Sequence, residues 1–238
     1  MRLDVLVTKT GLAESRERAQ ALILAGKVRV AGETVRSPAR TVSEDSQIAV
    51  DADPGYASRG ALKVAPALDR FDVDPAGRVC ADVGASTGGF TDVLLRRGAA
   101  RVYAIDVGRG LLHWRLRQDP RVVVIERLNA RNLESFPEAV SLVVIDVSFI
   151  SLVKVLPAVR RAAPGAEVVA LFKPQFEVGR AEVGKGGIVH SAVAVDAALA
   201  RFRDWCGVNR YTVVAEAPSE VAGAEGNREI FIHLRPAP

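Results

Sequence analysis

The sequence predicts an α/β fold, with a mostly parallel sheet that carries helices on both faces, preceded by a small α+β unit. From about residue 58 onward, apolar strand patterns alternate with helical patterns, which is typical of a parallel sheet. Residues 1–50 instead show two short helical patterns followed by short alternating strands. We therefore expect two domains, 1–50 and 58–238, joined by a linker over 51–57.

Local signals place the elements of the first unit. A helical pattern runs from Leu3 to Thr10 and stops at Gly11. Ser15 can cap a second helix, which Gly26 closes. Short strands are expected at 28–30, 33–35 and 47–50.

The linker is expected over 51–57 because Pro54 and Gly55 break both periodicities. A segment capped by Ser58 is amphipathic. Seven apolar runs then predict strands at 79–83, 101–105, 122–125, 142–145, 167–172, 211–215 and 230–234. Helical periodicity predicts helices at 89–97, 110–118, 151–163 and 191–205. Residues 173–190 form a long glycine-rich connection, which is typical of a binding loop or a disordered segment.

Composition excludes some classes of protein and leaves others open. No apolar run approaches the ~18–20 residues of a membrane span, and the first residues lack the apolar core of a signal peptide. The two cysteines are expected as buried free thiols in a reducing cytoplasm. The three histidines are scattered without ligand companions, so no metal is expected. Trp114 and Trp205 fall in helical patterns and are expected to be core or partly buried residues rather than platforms on which bases stack. A net charge of +4 is compatible with a polyanionic partner without establishing one.

The most informative stretch is the glycine-rich turn Asp82-Val-Gly-Ala-Ser-Thr-Gly-Gly-Phe90, between a strand and a helix. Its glycines let the backbone approach a ligand, and the helix N-terminus offers free N–H groups. Such turns serve dinucleotides, phosphates and S-adenosylmethionine alike. Asp106 ends the next strand, where a carboxylate can accept both hydroxyls of a ribose. The turn matches neither the dinucleotide nor the phosphate-loop spacing, which favours S-adenosylmethionine.

Four charged residues are candidates for catalysis. Asp146 and Lys173 each end a strand, at the edge where ligands bind in such sheets. Taken singly, Lys63 and Glu229 are better explained as solvated residues. For Asp146 a functional role is favoured over capping a turn, and for Lys173 it is favoured over a loop charge. Together they suit methylation of a hydroxyl, because a sulfonium methyl is already activated and the enzyme must align the acceptor and take its proton. A lysine can act as the base or orient the oxygen lone pair, while the carboxylates balance the two ammonium groups.

Residues 2–50 resemble a known domain. Arg-Leu-Asp-x-Leu-Val, Gly-Leu-Ala-x-Ser-Arg-x-x-Ala and Ile-x-x-Gly-x-Val-x-Val-x-Gly are similar to the S4-like RNA-binding domain. Charge alone would indicate a solvated face, because acidic residues offset most of it. The resemblance implies contacts with RNA, and we expect basic residues of both units to make them. The candidates are Arg2, Lys9, Arg16, Arg18, Lys27, Arg29, Arg59, Arg180 and Lys185.

Further blocks, in one order along almost the whole chain, resemble the TlyA family. They are Ser58-Arg-Gly-Ala-Leu-Lys63, the glycine turn with Thr91-Asp92, Asn129-Ala-Arg131, Asp146-Val-Ser-Phe-Ile-Ser-Leu152, Lys173-Pro-Gln-Phe-Glu177 with Val183-Gly-Lys-Gly-Gly-Ile-Val-His190, and Gly226-Asn-Arg-Glu229. TlyA proteins are ribosomal-RNA 2′-O-methyltransferases, also called hemolysin A. In them an S4-like domain precedes an FtsJ-like domain with the Rossmann-like sheet of class I methyltransferases.

The resemblance implies roles for individual residues. It implies a catalytic tetrad of Lys63, Asp146, Lys173 and Glu229. It implies S-adenosylmethionine contacts from Asp82, Gly84, Ala85, Ser86, Thr87, Gly88, Gly89, Phe90, Asp106, Val107, Asn129, Ala130 and Asp146. Related FtsJ-like enzymes often carry a carboxylate where Asn129 stands, and some relatives have an aromatic-Val pair where this chain has Tyr56-Ala57.

The resemblance implies methylation of a cytidine 2′-hydroxyl in ribosomal RNA by a cytoplasmic enzyme without a membrane partner. The chain is short at both ends, and short members resemble the type that modifies only the large subunit, so we expect that range here. A non-catalytic ribosome-assembly factor and a pore-forming hemolysin are the alternatives. The intact tetrad argues against the first, and the lack of a membrane span or secretion signal argues against the second. The oligomeric state is left open.

Overall fold

The computed structural model describes residues 1–13, 15–24, 26–50, 55–223 and 226–237, without the side chain of Arg18. The chain divides into two compact units, Met1–Gly55 and Tyr56–Pro238. Residues 51–54 of the expected linker lie outside the described residues. No helix in the described part of the chain has the length and apolar character needed to traverse a bilayer.

The first unit contains two helices and a small antiparallel sheet. Its elements are α1 (Leu3–Lys9), α2 (Arg16–Leu24), β1 (Val28–Val30), β2 (Glu33–Val35) and β3 (Ile48–Val50). The strand order is β2-β1-β3. Apolar residues from one face of each helix, among them Leu6 and Ile23, pack with Val28 and Val35 of the sheet in a single cluster. These elements agree with the local sequence signals to within a residue or two at each end.

The second unit alternates strands and helices around one large sheet. Its strands are β4 (Val79–Val83), β5 (Arg101–Ile105), β6 (Val122–Ile125), β7 (Leu142–Ile145), β8 (Glu167–Phe172), β9 (Tyr211–Pro218) and β10 (Ile230–Pro236). Its α-helices are α3 (Ala61–Arg70), α4 (Gly89–Arg96), α5 (Trp114–Arg117), α6 (Leu152–Ala162), α7 (Pro174–Glu177) and α8 (Ala192–Val208). Apolar side chains from the two faces of the sheet form two separate clusters, so helices cover both faces.

The order of the strands determines where a ligand can bind. The order is β6-β5-β4-β7-β8-β10-β9, and the first five of these strands are mutually parallel. The chain builds outward from β4 through β5 to β6, then crosses back to place β7 on the other side of β4. The crevice at this reversal, beyond the carboxyl ends of β4 and β7, is the expected binding site of a doubly wound sheet. The glycine turn follows β4, and Asp146 follows β7.

Two sequence predictions in this unit are wrong. The helix expected over 110–118 is confined to α5, because Gly110 has a φ of +72° and His113 caps the helix by accepting from the N–H of Arg115. Trp114 is not near the core but 63% exposed, and Trp205 is half-buried.

The glycine-rich connection is ordered by α7 and two 3₁₀ turns, at Arg180–Glu182 and Lys185–Gly187. Both cysteines are buried and free, as predicted.

Candidate active site

Two clefts meet at the reversal of the sheet. The larger encloses about 880 Å³ and extends over the carboxyl ends of β5, β6 and β7. The smaller, about 200 Å³, lies between the glycine turn and the start of α3. Gly84, Ser86 and Asp146 line both clefts, so a ligand in one reaches the wall of the other at these residues.

The glycine turn is shaped by contacts within the protein. Gly84 has a φ of +89°, and a Cβ there would collide with the carbonyl oxygen of Asp146. Gly88 has a φ of +94°, and a Cβ there would collide with Leu112 and Leu116. Gly89 packs in the same way against Ser58. These glycines were expected to allow close approach by a ligand, but neighbouring protein segments already occupy the space beside them.

Asp82 lies behind the turn rather than in a cleft. It is fully buried, and its Oδ2 accepts hydrogen bonds from the N–H (2.8 Å) and hydroxyl (2.6 Å) of Thr91 in α4. Its Oδ1 is buried and accepts no hydrogen bond from the described residues. Burial raises the pKa of Asp82 to about 7, against the opposing effect of the Thr91 bonds. Of the thirteen expected cofactor contacts, only Asp82 and Gly88 line neither cleft.

The larger cleft has a polar end held by backbone donors. Asp106 Oδ2 accepts from Ser86 N at 2.8 Å, and Asp106 Oδ1 accepts from Gly108 N at 2.7 Å. The carboxylate is therefore fixed in direction, and each oxygen keeps a lone pair for a ligand. Asn129 caps the 3₁₀ turn that follows β6 by accepting from Arg131 N at 3.1 Å. Apolar side chains form the adjoining walls; they are Val107, Leu111, Leu128 and Ala130.

Two lysine–carboxylate pairs lie beside the point where the clefts meet. Lys173 Nζ is 2.5 Å from Asp146 Oδ1 and donates to Ser148 Oγ at 3.0 Å. Lys63 Nζ donates to Glu229 Oε2 at 2.6 Å. Each side chain in the two pairs is less than a quarter exposed. Buried ammonium and carboxylate groups need such partners to offset their lost hydration.

The strand register brings the two pairs together. In the antiparallel ladder of β8 and β10, Phe172 faces Ile230. The next residues, Lys173 and Glu229, therefore leave the sheet side by side. Lys63 and Asp146 both line the smaller cleft. The four residues that the sequence singled out thus converge, although they come from four separate segments.

No sequence pattern predicts a contact that joins the loop after Asp146 to the segment after Lys173. Half-buried Glu177 accepts from the Ser151 hydroxyl at 2.6 Å and from Leu152 N at 2.7 Å, at the start of α6. Burial raises the pKa of this carboxyl. The bonds connect the loop after Asp146 to the segment after Lys173. No local pattern identifies this pairing, because its members are about 25 residues apart.

The same loops present an aromatic pair to the larger cleft. Phe149 is 89% exposed, has a φ of +64° and lies 5.2 Å from the Phe176 ring, centroid to centroid. A non-glycine residue in this conformation is strained unless its surroundings hold it. The sequence contains no signal for this exposed ring, since an apolar residue after a strand predicts burial.

The candidate RNA contacts have different surroundings. In the first unit, Arg2 and Arg16 both bond to the buried carboxylate of Asp4, and the Arg2 bond is the main reason that the pKa of Asp4 is well below its usual range. Lys9 pairs with Glu44 at 2.9 Å. In the second unit, Arg59 is exposed at the smaller cleft, and Arg180 is exposed at the larger. Two further candidates, Arg29 and Lys185, are exposed and Lys27 is half-buried, whereas the Arg18 side chain lies outside the described residues.

Family models match both units. A model described as FtsJ-like methyltransferase matches residues 56–236, and one described as S4 domain matches residues 1–48. The two matches meet near Gly55, where the chain divides into its compact units.

Individual relatives match over most of the chain. The 16S/23S rRNA (cytidine-2′-O)-methyltransferase TlyA of Mycobacterium tuberculosis is 49% identical over 98% of this chain and 89% of its own. The 23S rRNA (cytidine-2′-O)-methyltransferase TlyA of Campylobacter jejuni is 35% identical over 75% of this chain and 70% of its own. A solved structure of a protein named as a hemolysin, from Streptococcus thermophilus, has a TM-score of 0.79 at 40% identity, covering 100% of this chain and 88% of that one.

Proposed function

This chain belongs to the TlyA family of FtsJ-like methyltransferases, and on that basis we propose that it transfers a methyl group from S-adenosylmethionine to the 2′-hydroxyl of a cytidine in ribosomal RNA. The two lysine–carboxylate pairs beside the junction of the clefts support this reaction most strongly. They supply buried groups that can act on a hydroxyl proton, next to a cleft suited to the methyl donor.

The larger cleft fits S-adenosylmethionine. The fixed carboxylate of Asp106 can accept the ribose hydroxyls, and Asn129 offers an amide to the adenine edge. Val107 and Ala130 supply apolar surface for the flat adenine ring. The backbone of Gly84 and Ser86 forms the wall toward the smaller cleft, where the acceptor would approach.

When bound, S-adenosylmethionine supplies a methyl group already activated by its positive sulfur. The protein must then align the ribose oxygen with that methyl group and take its proton. We assign the proton to Lys173, whose amine Asp146 and Ser148 hold in place. Lys63, held by Glu229, orients the oxygen from the opposite wall of the smaller cleft. Lys173 takes the proton as a neutral amine, and Asp146 then balances the ammonium group that forms. Glu229 balances the charge of Lys63 in this partly buried site.

The aromatic pair and the exposed basic residues belong to the acceptor side of this proposal. Phe149 offers an exposed ring on the loop after Asp146, where it lines the larger cleft. Arg59, Arg180 and Lys185 would contact phosphates near the reacting nucleotide, and the first unit would hold more distant RNA. Such contacts release counterions, so RNA binding should weaken steeply as salt increases.

We favour the large subunit as substrate and the cytoplasm as the place of action. The names of both TlyA relatives include 23S rRNA, whereas only one includes 16S rRNA. Methylation of assembled subunits requires an enzyme in the same compartment as the ribosome.

The test is methyl transfer from radiolabelled S-adenosylmethionine to ribosomal subunits purified from a strain that lacks this enzyme. We expect label in large subunits, mapped to the ribose of one cytidine, and little in small subunits. The exposed Arg201 of α8 provides a matched control, and Arg201→Ala should act like wild type. Equal labelling of both subunits would contradict the proposed specificity for the large subunit. A wild-type protein that binds S-adenosylmethionine and RNA but transfers no methyl group would overturn the reaction.

A further inference from the structure

The segment 107–117 lines the larger cleft with Val107 and Leu111 and carries an exposed tryptophan outside it. The side chain of Trp114 is 63% exposed, and its ring stacks on His113 with centroids 6.0 Å apart and planes 30° apart. Trp114 does not line either cleft. An exposed indole of this size contributes nothing to the core, since folding favours burial of aromatic surface.

The tryptophan is held on a fixed support. His113 N donates to the carbonyl of Thr87 in the glycine turn at 3.1 Å, and His113 Nδ1 accepts from Arg115 N. Glu126 accepts from Gly110 N at 2.7 Å and from the guanidinium of Arg117. Leu112 and Leu116 are buried on the inner side. The exposure of Trp114 is therefore a feature of an anchored surface, and the ring is preorganised for a partner.

The surroundings of this ring are strongly basic. Residues 107–131 contain six arginines and two acidic residues, although the whole chain has a net charge of only +4. Five of these arginines are exposed; they are Arg109, Arg115, Arg117, Arg127 and Arg131. Arg127 N donates to Gly108 O at 3.2 Å, which brings the second strand end next to the segment that carries Trp114. An exposed indole among arginines favours binding of a polyanion that also carries flat rings.

We propose that Trp114, stacked on His113, is a platform for an unpaired base of the ribosomal RNA substrate, with the neighbouring arginines contacting the flanking phosphates. This inference rests on the proposed function and adds a second RNA contact next to the cofactor cleft. Exposed aromatic rings among arginines are how proteins hold single-stranded RNA, because each base offers a face for stacking. The bond from His113 to Thr87 ties this platform to the glycine turn.

The experiment uses the fluorescence of Trp114 itself. The chain has two tryptophans, so the full-length Trp205→Phe variant leaves Trp114 as the only one. We expect single-stranded poly(C) to quench its emission and a duplex RNA of equal length to leave it nearly unchanged. Trp114→Ala should weaken binding of poly(C) and of protein-free large-subunit RNA by about tenfold or more. Trp114→Phe should retain most of the affinity, and S-adenosylmethionine affinity should be unchanged in both.

Two controls separate the possible outcomes. Val208→Ala removes apolar surface of a residue that is 84% exposed, at the end of α8, and should leave RNA binding unchanged. Arg109→Ala should reduce the salt dependence of binding, whereas Trp114→Ala should lower affinity at every salt concentration. If Trp114→Ala binds RNA as tightly as Val208→Ala does and methylates RNA normally, Trp114 is not a platform for a base. The proposed reaction would be unaffected by that result. Quenching of Trp114 without any methyl transfer would support the platform and overturn the reaction.

Discussion

The proposed cofactor side and the proposed acceptor side of the site are built by different means. On the cofactor side, the glycine turn and Asp106 are held by backbone N–H groups and by close backbone packing at Gly84. On the acceptor side, side chains bond to side chains: Lys63 to Glu229 across 166 residues, and Lys173 to Asp146 across 27. Backbone bonds survive most substitutions, whereas a side-chain pair is lost when either member changes.

This difference separates the expected effects of mutation. Variants on the acceptor side should lower turnover and leave cofactor binding intact. Variants on the cofactor side should weaken cofactor binding and leave turnover near normal once the cofactor saturates.

The largest effect is expected on the acceptor side. Lys173→Ala should reduce methyl transfer by roughly 10³-fold, because it removes the proposed proton acceptor. Calorimetry should show S-adenosylmethionine affinity within a few-fold of wild type, since Lys173 does not line the larger cleft. Near-normal turnover would contradict the assignment of Lys173 to the catalytic tetrad. A parallel loss of S-adenosylmethionine affinity would show that cofactor binding and methyl transfer depend on the same residues.

A smaller effect is expected from Asp106→Ala on the cofactor side. Removal of the fixed carboxylate should weaken S-adenosylmethionine binding by about 10- to 100-fold, the equivalent of about 1.5–3 kcal/mol for bonds to a charged group. The Michaelis constant for S-adenosylmethionine should rise with kcat nearly unchanged. Asp106→Asn offers a matched comparison, since it keeps one acceptor oxygen. A large fall in kcat at saturating cofactor would contradict the division between the two sides.

A milder loss is expected at the contact between the two catalytic loops. Glu177→Ala removes the acceptor for the Ser151 hydroxyl and Leu152 N, so the loops after Asp146 and Lys173 lose their connection. We expect about tenfold lower kcat with unchanged cofactor affinity, and Glu177→Gln should restore most of it because the amide oxygen still accepts. Activity is counted per molecule that binds S-adenosylmethionine. If Glu177→Ala loses thermal stability but keeps full kcat on that scale, Glu177 serves only the fold.

The last prediction concerns stability rather than activity, at Asp82, the buried carboxyl behind the glycine turn. Its pKa is raised to about 7, so the folded protein retains a proton that the unfolded chain releases near pH 4. The protonated Asp82 carboxyl contributes fully to the free energy of unfolding below about pH 4. This contribution is lost as pH rises toward 7, at up to about 1.4 kcal/mol per pH unit. Denaturant unfolding of wild type and Asp82→Asn at pH 4.5 to 7.5 checks this. The asparagine variant should gain in relative stability as pH rises, and a constant difference would show that Asp82 is charged in the folded protein.

The fold could be predicted because its signals are local. Each strand of the large sheet starts within a residue of its apolar run, since a buried parallel strand needs consecutive apolar residues. The turn after β4 could be predicted from its glycines. Gly84 and Gly88 have positive φ values, which other residues adopt only at a cost in free energy. The helix over 110–118 was overestimated, because apolar periodicity does not reveal that Gly110 turns the backbone out of the helix.

The membership of the site followed in part from the sequence. Asp146 and Lys173 were expected together because each ends a parallel strand, and the ends of such strands share one edge. Lys63 and Glu229 had no such argument from their positions in the strands; only the chemistry of the four residues together and the TlyA resemblance supported them. Their pairing depends on how α3 packs against the sheet and on where antiparallel β10 begins.

The sequence by itself determined the two units, the order of strands and helices and the glycine turn, because propensity and periodicity act over a few neighbouring residues. Only the tertiary structure decided which charges pair, including the bonds of Arg2 and Arg16 to Asp4. It alone decided that Glu177 connects the loop after Asp146 to the segment after Lys173. The exposure of Phe149 and Trp114 was decided in the same way. The physical reason is that pairing and exposure depend on distances between segments remote along the chain. Those distances are set by packing of the whole domain, to which no local pattern responds.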